Sequence, residues 1–248
     1  MQSKNYDIED SVQKTLCLMR DSGFAISGKV KVVVDADLPF MGYSTQRAEG
    51  NVIVVAGRAV ESGMIEGLLI HELCHIYRTE QNHPSHNKEL LNRVGYHFLH
   101  EHELSKDYQV KTIQQAVNHI QDLYADDLSF QVFRKSQVFT EEQAHAFFFD
   151  WINEEAVEGK SIKARWANVE TMLNNCFAFS NMTRHKIRDR EGKAQKAVET
   201  FLSQTDKAIS EAFPYFKEFM INLKEDVTEQ QFEKDLTEYL SKIIELAQ

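Results

Sequence analysis

Between Val60 and Ile76 the apolar residues Val60, Met64, Ile65, Leu68, Leu69, Leu73 and Ile76 recur at steps of three and four. That spacing commits the segment to a helix with one buried stripe. His71-Glu72-Leu73-Cys74-His75 lies inside it, toward the edge of the stripe. Two histidines four apart stand one above the other on a helical face, so both imidazoles can reach a single ion. Glu72, next to the first of them, can lean toward a metal-bound water as general base. Random order would give His-Glu-x-x-His in roughly 4% of chains of this composition. The flanking sequence therefore has to carry the rest of the argument.

Upstream, residues 7–21 have helical spacing at Ile8, Val12, Leu16 and Met19. Residues 29–35 alternate and then run through β-branched valines, and 51–56 are apolar, so each reads as a strand. Residues 37–50 hold Pro39, Gly42 and Gly50 and read as a loop, and the motif helix is expected to start near Arg58. Downstream, Pro84 stops that helix in a turn over 82–87. Helices follow over 88–101, 107–133 and the aromatic-rich 141–155, and the pattern is helical from 163 to the end. With only three prolines, the fold class is α+β and mostly helical. The weak boundary at Gly159 divides a domain over 1–158, with a small sheet and the motif helix, from a helical region over 159–248.

Catalytic zinc usually takes three protein ligands and keeps a fourth position for water. The pattern that places a glycine and a third histidine just after the motif fails, because Arg78 and Gln81 occupy those places. A carboxylate from a later helix is the other solution, and Asp122-Leu-Tyr-Ala-Asp126 is the best candidate. Its i, i+4 spacing puts both carboxylates on one side. Asp122 would bind the metal, while Asp126 would accept a hydrogen bond from the outer nitrogen of a ligand histidine. His119, one turn before Asp122, is the rival as ligand or as donor to the reacting carbonyl. Tyr124, His83, His86 and His185 are further oxyanion candidates, and His83 and His86 read first as an exposed turn. Asp127 reads as a surface residue and Cys74 as a small buried apolar residue.

A net charge of −10 and a pI near 5.5 argue against nucleic acid as a partner. Three scattered cysteines, Cys17, Cys74 and Cys176, fit a reducing compartment. The first ten residues are polar and acidic, unlike a signal peptide, and no apolar run reaches the length of a membrane span. The expectation is a soluble, cytoplasmic chain with no membrane partner.

Strand followed by motif helix resembles the order in zincin-type metallopeptidases. There the strand forms the cleft rim on which an extended substrate pairs, a role that would fall to 51–56 here. The two-helix ligand arrangement resembles the gluzincin side of that group. Asp122-Leu-Tyr-Ala-Asp126 is similar to the Glu-x-x-Ala-Asp string of the membrane-associated HtpX-type peptidases, with Asp in the Glu place and without that group's transmembrane helices. Aspartate is one methylene shorter, so the helix must come closer to the metal, or Asp126 is the ligand instead. His83-Pro84-Ser85-His86 and Asn118-His119-Ile120-Gln121-Asp122-Leu123-Tyr124-Ala125-Asp126-Asp127 also resemble strings in uncharacterised archaeal His-Glu-x-x-His proteins.

The resemblance implies a zinc metallopeptidase acting on a peptide or protein substrate. Zn2+ would be held by His71, His75 and Asp122, with Glu72 as general base. The alternative is a zinc-site protein that does not cleave and serves as an interaction or regulatory module.

Overall fold

The structure, a computed structural model, describes residues 8–248; Met1–Asp7, including the start expected for the first helix, lies outside the described residues. By contacts the chain divides into two units. One comprises Met1–His86 with Ala125–Thr140, and the other Asn87–Tyr124 with Glu141–Gln248. Neither is continuous in sequence, because one long helix runs through both.

The first unit opens with α1 (Glu9–Asp21), followed by β1 (Val30–Asp35), β2 (Gly42–Arg47) and β3 (Gly50–Ala56). The three strands form one mixed sheet in the order β1-β3-β2, parallel between β1 and β3 and antiparallel between β3 and β2. β3 is buried almost throughout, from Asn51 to Ala56, as its apolar run requires. On one face Val52, Val54 and Ala56 pack with Leu38 and Ala59, and Met41 and Leu68 close the cluster.

Two expectations are corrected here. The segment read as a loop contains β2, whose sequence Gly-Tyr-Ser-Thr-Gln-Arg carries no apolar alternation because an edge strand can rest on main-chain pairing alone. β3 is consequently the central strand. Both of its edges are taken, so 51–56 cannot form the rim on which a substrate strand pairs; the sheet's edges belong to β1 and β2.

The motif helix is also shorter than its stripe suggests. A brief α2 (Gly57–Glu61) ends at Ser62-Gly63, where Gly63 takes φ +71°, and α3 (Ile65–Glu80) then carries the motif. α1 packs along α3, with Met19 fully buried and its Sδ 3.8 Å from Cys74 Sγ, and Phe24 set edge-on to Tyr77 at 5.4 Å. Glu80, the last residue of α3, fixes the helix to the sheet. Its carboxylate accepts from the backbone N–H groups of Ser27 and Gly28 at 2.8 and 2.9 Å, and from Asn51 Nδ2 at 3.3 Å. Gly28 has to be glycine for this clamp, because a Cβ would sit 2.9 Å from Asn51 Nδ2 and 3.1 Å from Glu80 Oε1. A single 3₁₀ turn, Pro84–His86, follows.

The second unit is helical. α4 (Lys88–Glu101) is capped by Asn87, whose side chain accepts from the N–H groups of Glu89 and Leu90. α5 (Asp107–Ser136) is a single helix of 30 residues that begins in this unit and ends in the first. α6 (Glu141–Phe149) stops short of the expected 155. The residues after it run outside any helix beside α7 (Ile162–His185), where Asn168 bonds both backbone groups of Val157 and Asn175 both of Asn153. α7 buries Trp166, Met172, Leu173, Cys176 and Phe177. α8 (Lys193–Gln204), α9 (Lys207–Ile221) and α10 (Glu229–Ala247) complete the unit, with α9 and α10 packed on α7 and Tyr239 stacked on Phe219 at 4.8 Å. The chain is thus mostly helical with one small mixed sheet. Among the described residues no helix is long and apolar enough to cross a membrane.

Replacing Glu80 with alanine removes acceptors for two backbone N–H groups. It should lower stability by about 1–3 kcal/mol, read as a fall in the urea midpoint of unfolding, because bonds to a charged acceptor exceed neutral ones.

Candidate metal centre

Helix α3 presents His71 and His75 on one face, and their Nε2 atoms approach to 3.0 Å. Two nitrogens bound to one tetrahedral zinc at about 2.0–2.1 Å would stand about 3.3 Å apart, so the pair is within a few tenths of an ångström of a metal-binding geometry. Helix α5 supplies the third group. One ligand atom each from His71, His75 and Asp122 lies within 4.8 Å of the other two, and all three residues are partly buried.

Donor chemistry offers a fit test. If the Nε2 lone pairs serve a metal, each Nδ1 carries the ring proton and needs an acceptor. Both have one. His71 Nδ1 lies 2.8 Å from Asp126 Oδ1, and His75 Nδ1 lies 2.8 Å from His86 Nε2. Asp126 is buried to 4% exposure, so its carboxylate gains its solvation from partners such as this ring. The residues fit a zinc ion.

Glu72 is buried and is not among the three residues whose ligand atoms cluster. Cys74 is fully buried, and burial pushes its thiol up to about 12. A thiol so held is a packing group rather than a thiolate ligand.

The structure does not bring His119 to the cluster. Its ring is fully buried, stacked on Phe177 at 4.6 Å and edge-on to Trp151, with Gln115 Nε2 3.0 Å from its Nε2. Burial lowers its pKa from 6.5 to about 4, against a smaller raising effect of Asp122. It is neutral and part of the core. Tyr124 is buried too, and its hydroxyl donates to the Lys224 carbonyl at 3.1 Å. His185 is buried in the last turn of α7, and Asp127 is partly buried rather than at the surface.

His86 was expected in an exposed turn, yet it is 6% exposed and joined to His75. Burial, then the neighbouring His75, holds it well below the ordinary histidine range. Nothing in periodicity foretold this. The available signal was two histidines flanking Pro-Ser immediately after a metal motif.

The model of a family described as "Family of unknown function (DUF5781)" matches residues 18–244. The chain belongs to this family. The matched span takes in the motif, the 83–86 turn, the Asp122–Asp126 string and nearly all the C-terminal helices. No curated protein and no solved structure matches the chain.

Two outcomes are expected. In metal titrations His71→Ala or Asp122→Ala should abolish tight zinc binding, and Asp126→Ala should weaken it by roughly 10- to 100-fold while a site remains. Tight binding retained in Asp122→Ala would remove that residue from the ligand set. The second concerns acid stability. The unfolded chain takes up a proton at His119 near 6.5 and the folded chain only near 4, so this stabilisation is full above 6.5 and is lost as pH falls toward 4. His119→Leu should flatten that limb of the stability curve by on the order of 3 kcal/mol, measured by denaturation across pH 4–7.

Proposed function

We propose that the protein is a zinc-dependent peptidase of zincin type, with Zn2+ held by His71, His75 and Asp122. The observation that carries this reading is the paired set of hydrogen bonds behind the motif. Each imidazole has a partner at its Nδ1 that is able to accept, and the two Nε2 atoms lie 3.0 Å apart beside the Asp122 carboxylate. A bound zinc would polarise a scissile carbonyl and bring the pKa of its water toward neutrality. Glu72 takes the proton of the attacking water on its carboxylate and delivers it to the leaving amine. A structural site has no use for such a base, so Glu72 favours catalysis over mere metal storage.

An extended substrate pairs best with a free strand edge, where backbone bonds recur at two-residue spacing and side-chain pockets set preference. With β3 enclosed, β2 takes this role. It packs against α3: a Cβ on Gly42 would lie 3.3 Å from Leu68, one turn ahead of His71. Phe40 and Tyr43 are exposed beside that edge with their rings 5.8 Å apart, and they favour an apolar side chain in the bound peptide.

Glu72→Gln should retain zinc and lose hydrolysis, since the glutamate touches the water and not the metal. A chelator should abolish activity and zinc should restore the chelated wild type only. The measurement is a screen of unstructured peptides under reducing conditions, rich in apolar residues, with Glu72→Gln as control. Zinc-loaded wild type that cleaves none of them, nor any protein, would replace this reading with the non-cleaving interaction module.

A further inference from the structure

The turn Pro84–His86 holds a linked set of polar groups that metal binding alone does not explain. Ser85 is fully buried, and its Oγ lies 2.8 Å from His86 Nδ1 and 2.7 Å from His83 Nδ1. His86 Nε2 in turn lies 2.8 Å from His75 Nδ1. In such a chain each imidazole can be either tautomer, and the whole set can run in either of two directions.

One fixed donor chooses between them. The backbone N–H of Ser85 donates to His83 Nδ1 at 3.3 Å, and an amide cannot reverse its role. His83 Nδ1 is therefore bare and accepts. The Ser85 hydroxyl hydrogen then points to His83, which leaves the hydroxyl oxygen to accept from His86 Nδ1–H. His86 Nε2 is consequently bare, so His75 Nδ1 must be the donor to it. His75 Nε2 then carries no proton, as a metal ligand requires.

We propose that His86 is a positioning residue for the metal centre, with the 83–86 turn as a directional hydrogen-bonded chain that fixes His75 in its ligating tautomer. This rests on the metal-binding reading above and adds to it a residue outside the motif and outside the acidic string. His71 receives the same service from Asp126 by a simpler route, since a carboxylate can only accept. A neutral imidazole could either donate or accept, so His86 needs Ser85 and His83 behind it to be held as an acceptor. Burial of the serine and the histidine keeps water from offering an alternative partner.

The test uses the full chain, titrated with Zn2+ against a chromophoric chelator, with folding of each apo variant checked by circular dichroism. His86→Leu removes the acceptor and should weaken zinc binding by roughly 10- to 100-fold. His86→Gln places an amide oxygen where Nε2 stood and should restore most of the affinity. Ser85→Ala, which removes only a hydroxyl and carries little risk to folding, should cost less than His86→Leu but more than His86→Gln. Proton NMR of the zinc-loaded protein supplies a readout that packing would not move: a downfield ring N–H signal from His75, present in wild type and Glu72→Gln and lost in His86→Leu. Equal affinity of wild type, His86→Leu and Ser85→Ala would overturn the proposal while leaving the metal site standing. A second equivalent of zinc in wild type, lost on substituting His86, would overturn it by making His86 a ligand. Wild type that binds no zinc would overturn the metal reading and this proposal together.

Discussion

The hydrogen bond between His71 Nδ1 and Asp126 Oδ1 is the contact on which the rest of the site depends. It ties the motif helix to α5 and sets α5's rotation about its own axis. Asp122, one turn earlier, is thereby brought round to the same face. A buried carboxylate without partners would cost several kcal/mol, so Asp126 has strong reason to keep this bond.

What the sequence disclosed and what it hid divide along a physical line. The motif helix and the acidic string are governed by spacing of three and four, and both were legible because helical neighbours are fixed locally. The 83–86 turn was not. Its burial comes from packing against α3, and no periodicity marks a turn as interior. β2 was hidden for a similar reason: its residues are polar, and its place in the sheet comes from pairing with β3 rather than from any pattern of its own. His119, the rival ligand, is a packing residue instead. Three residues before Asp122 it is a neighbour along α5, but a helix turns about 300° over that step. The remaining offset aims its ring at Phe177 and Trp151 instead of at the ligand cluster.

Polar groups inside the helical unit serve a different end. Asn168 and Asn175, seven apart on α7, each satisfy both backbone groups of a residue in the non-helical segment after α6. The segment is largely exposed and outside helix and sheet, and these two asparagines pin its backbone to α7. Ser161, Asp206 and Thr228 cap α7, α9 and α10 by accepting from backbone N–H groups in the first turn. The long C-terminal run of helices is therefore held by specific side-chain bonds as well as by apolar burial. It lies within residues 18–244, the span matched by the family model.

The two histidines of the motif are supported unequally, and the inequality bears on chemistry. Asp126 behind His71 is an anion, whereas His86 behind His75 is held neutral by burial. On the proposed reading three carboxylates, Asp122, Asp126 and Glu72, gather around a divalent ion, so their charge already exceeds its own. A further carboxylate in place of His86 would make the surroundings more negative still. It would raise the basicity of His75 and weaken the pull of the ion on a substrate carbonyl. A neutral acceptor orients His75 without that cost, provided something fixes its direction. On the chain proposed above the Ser85 amide does so through His83, with Ser85 and His86 both buried.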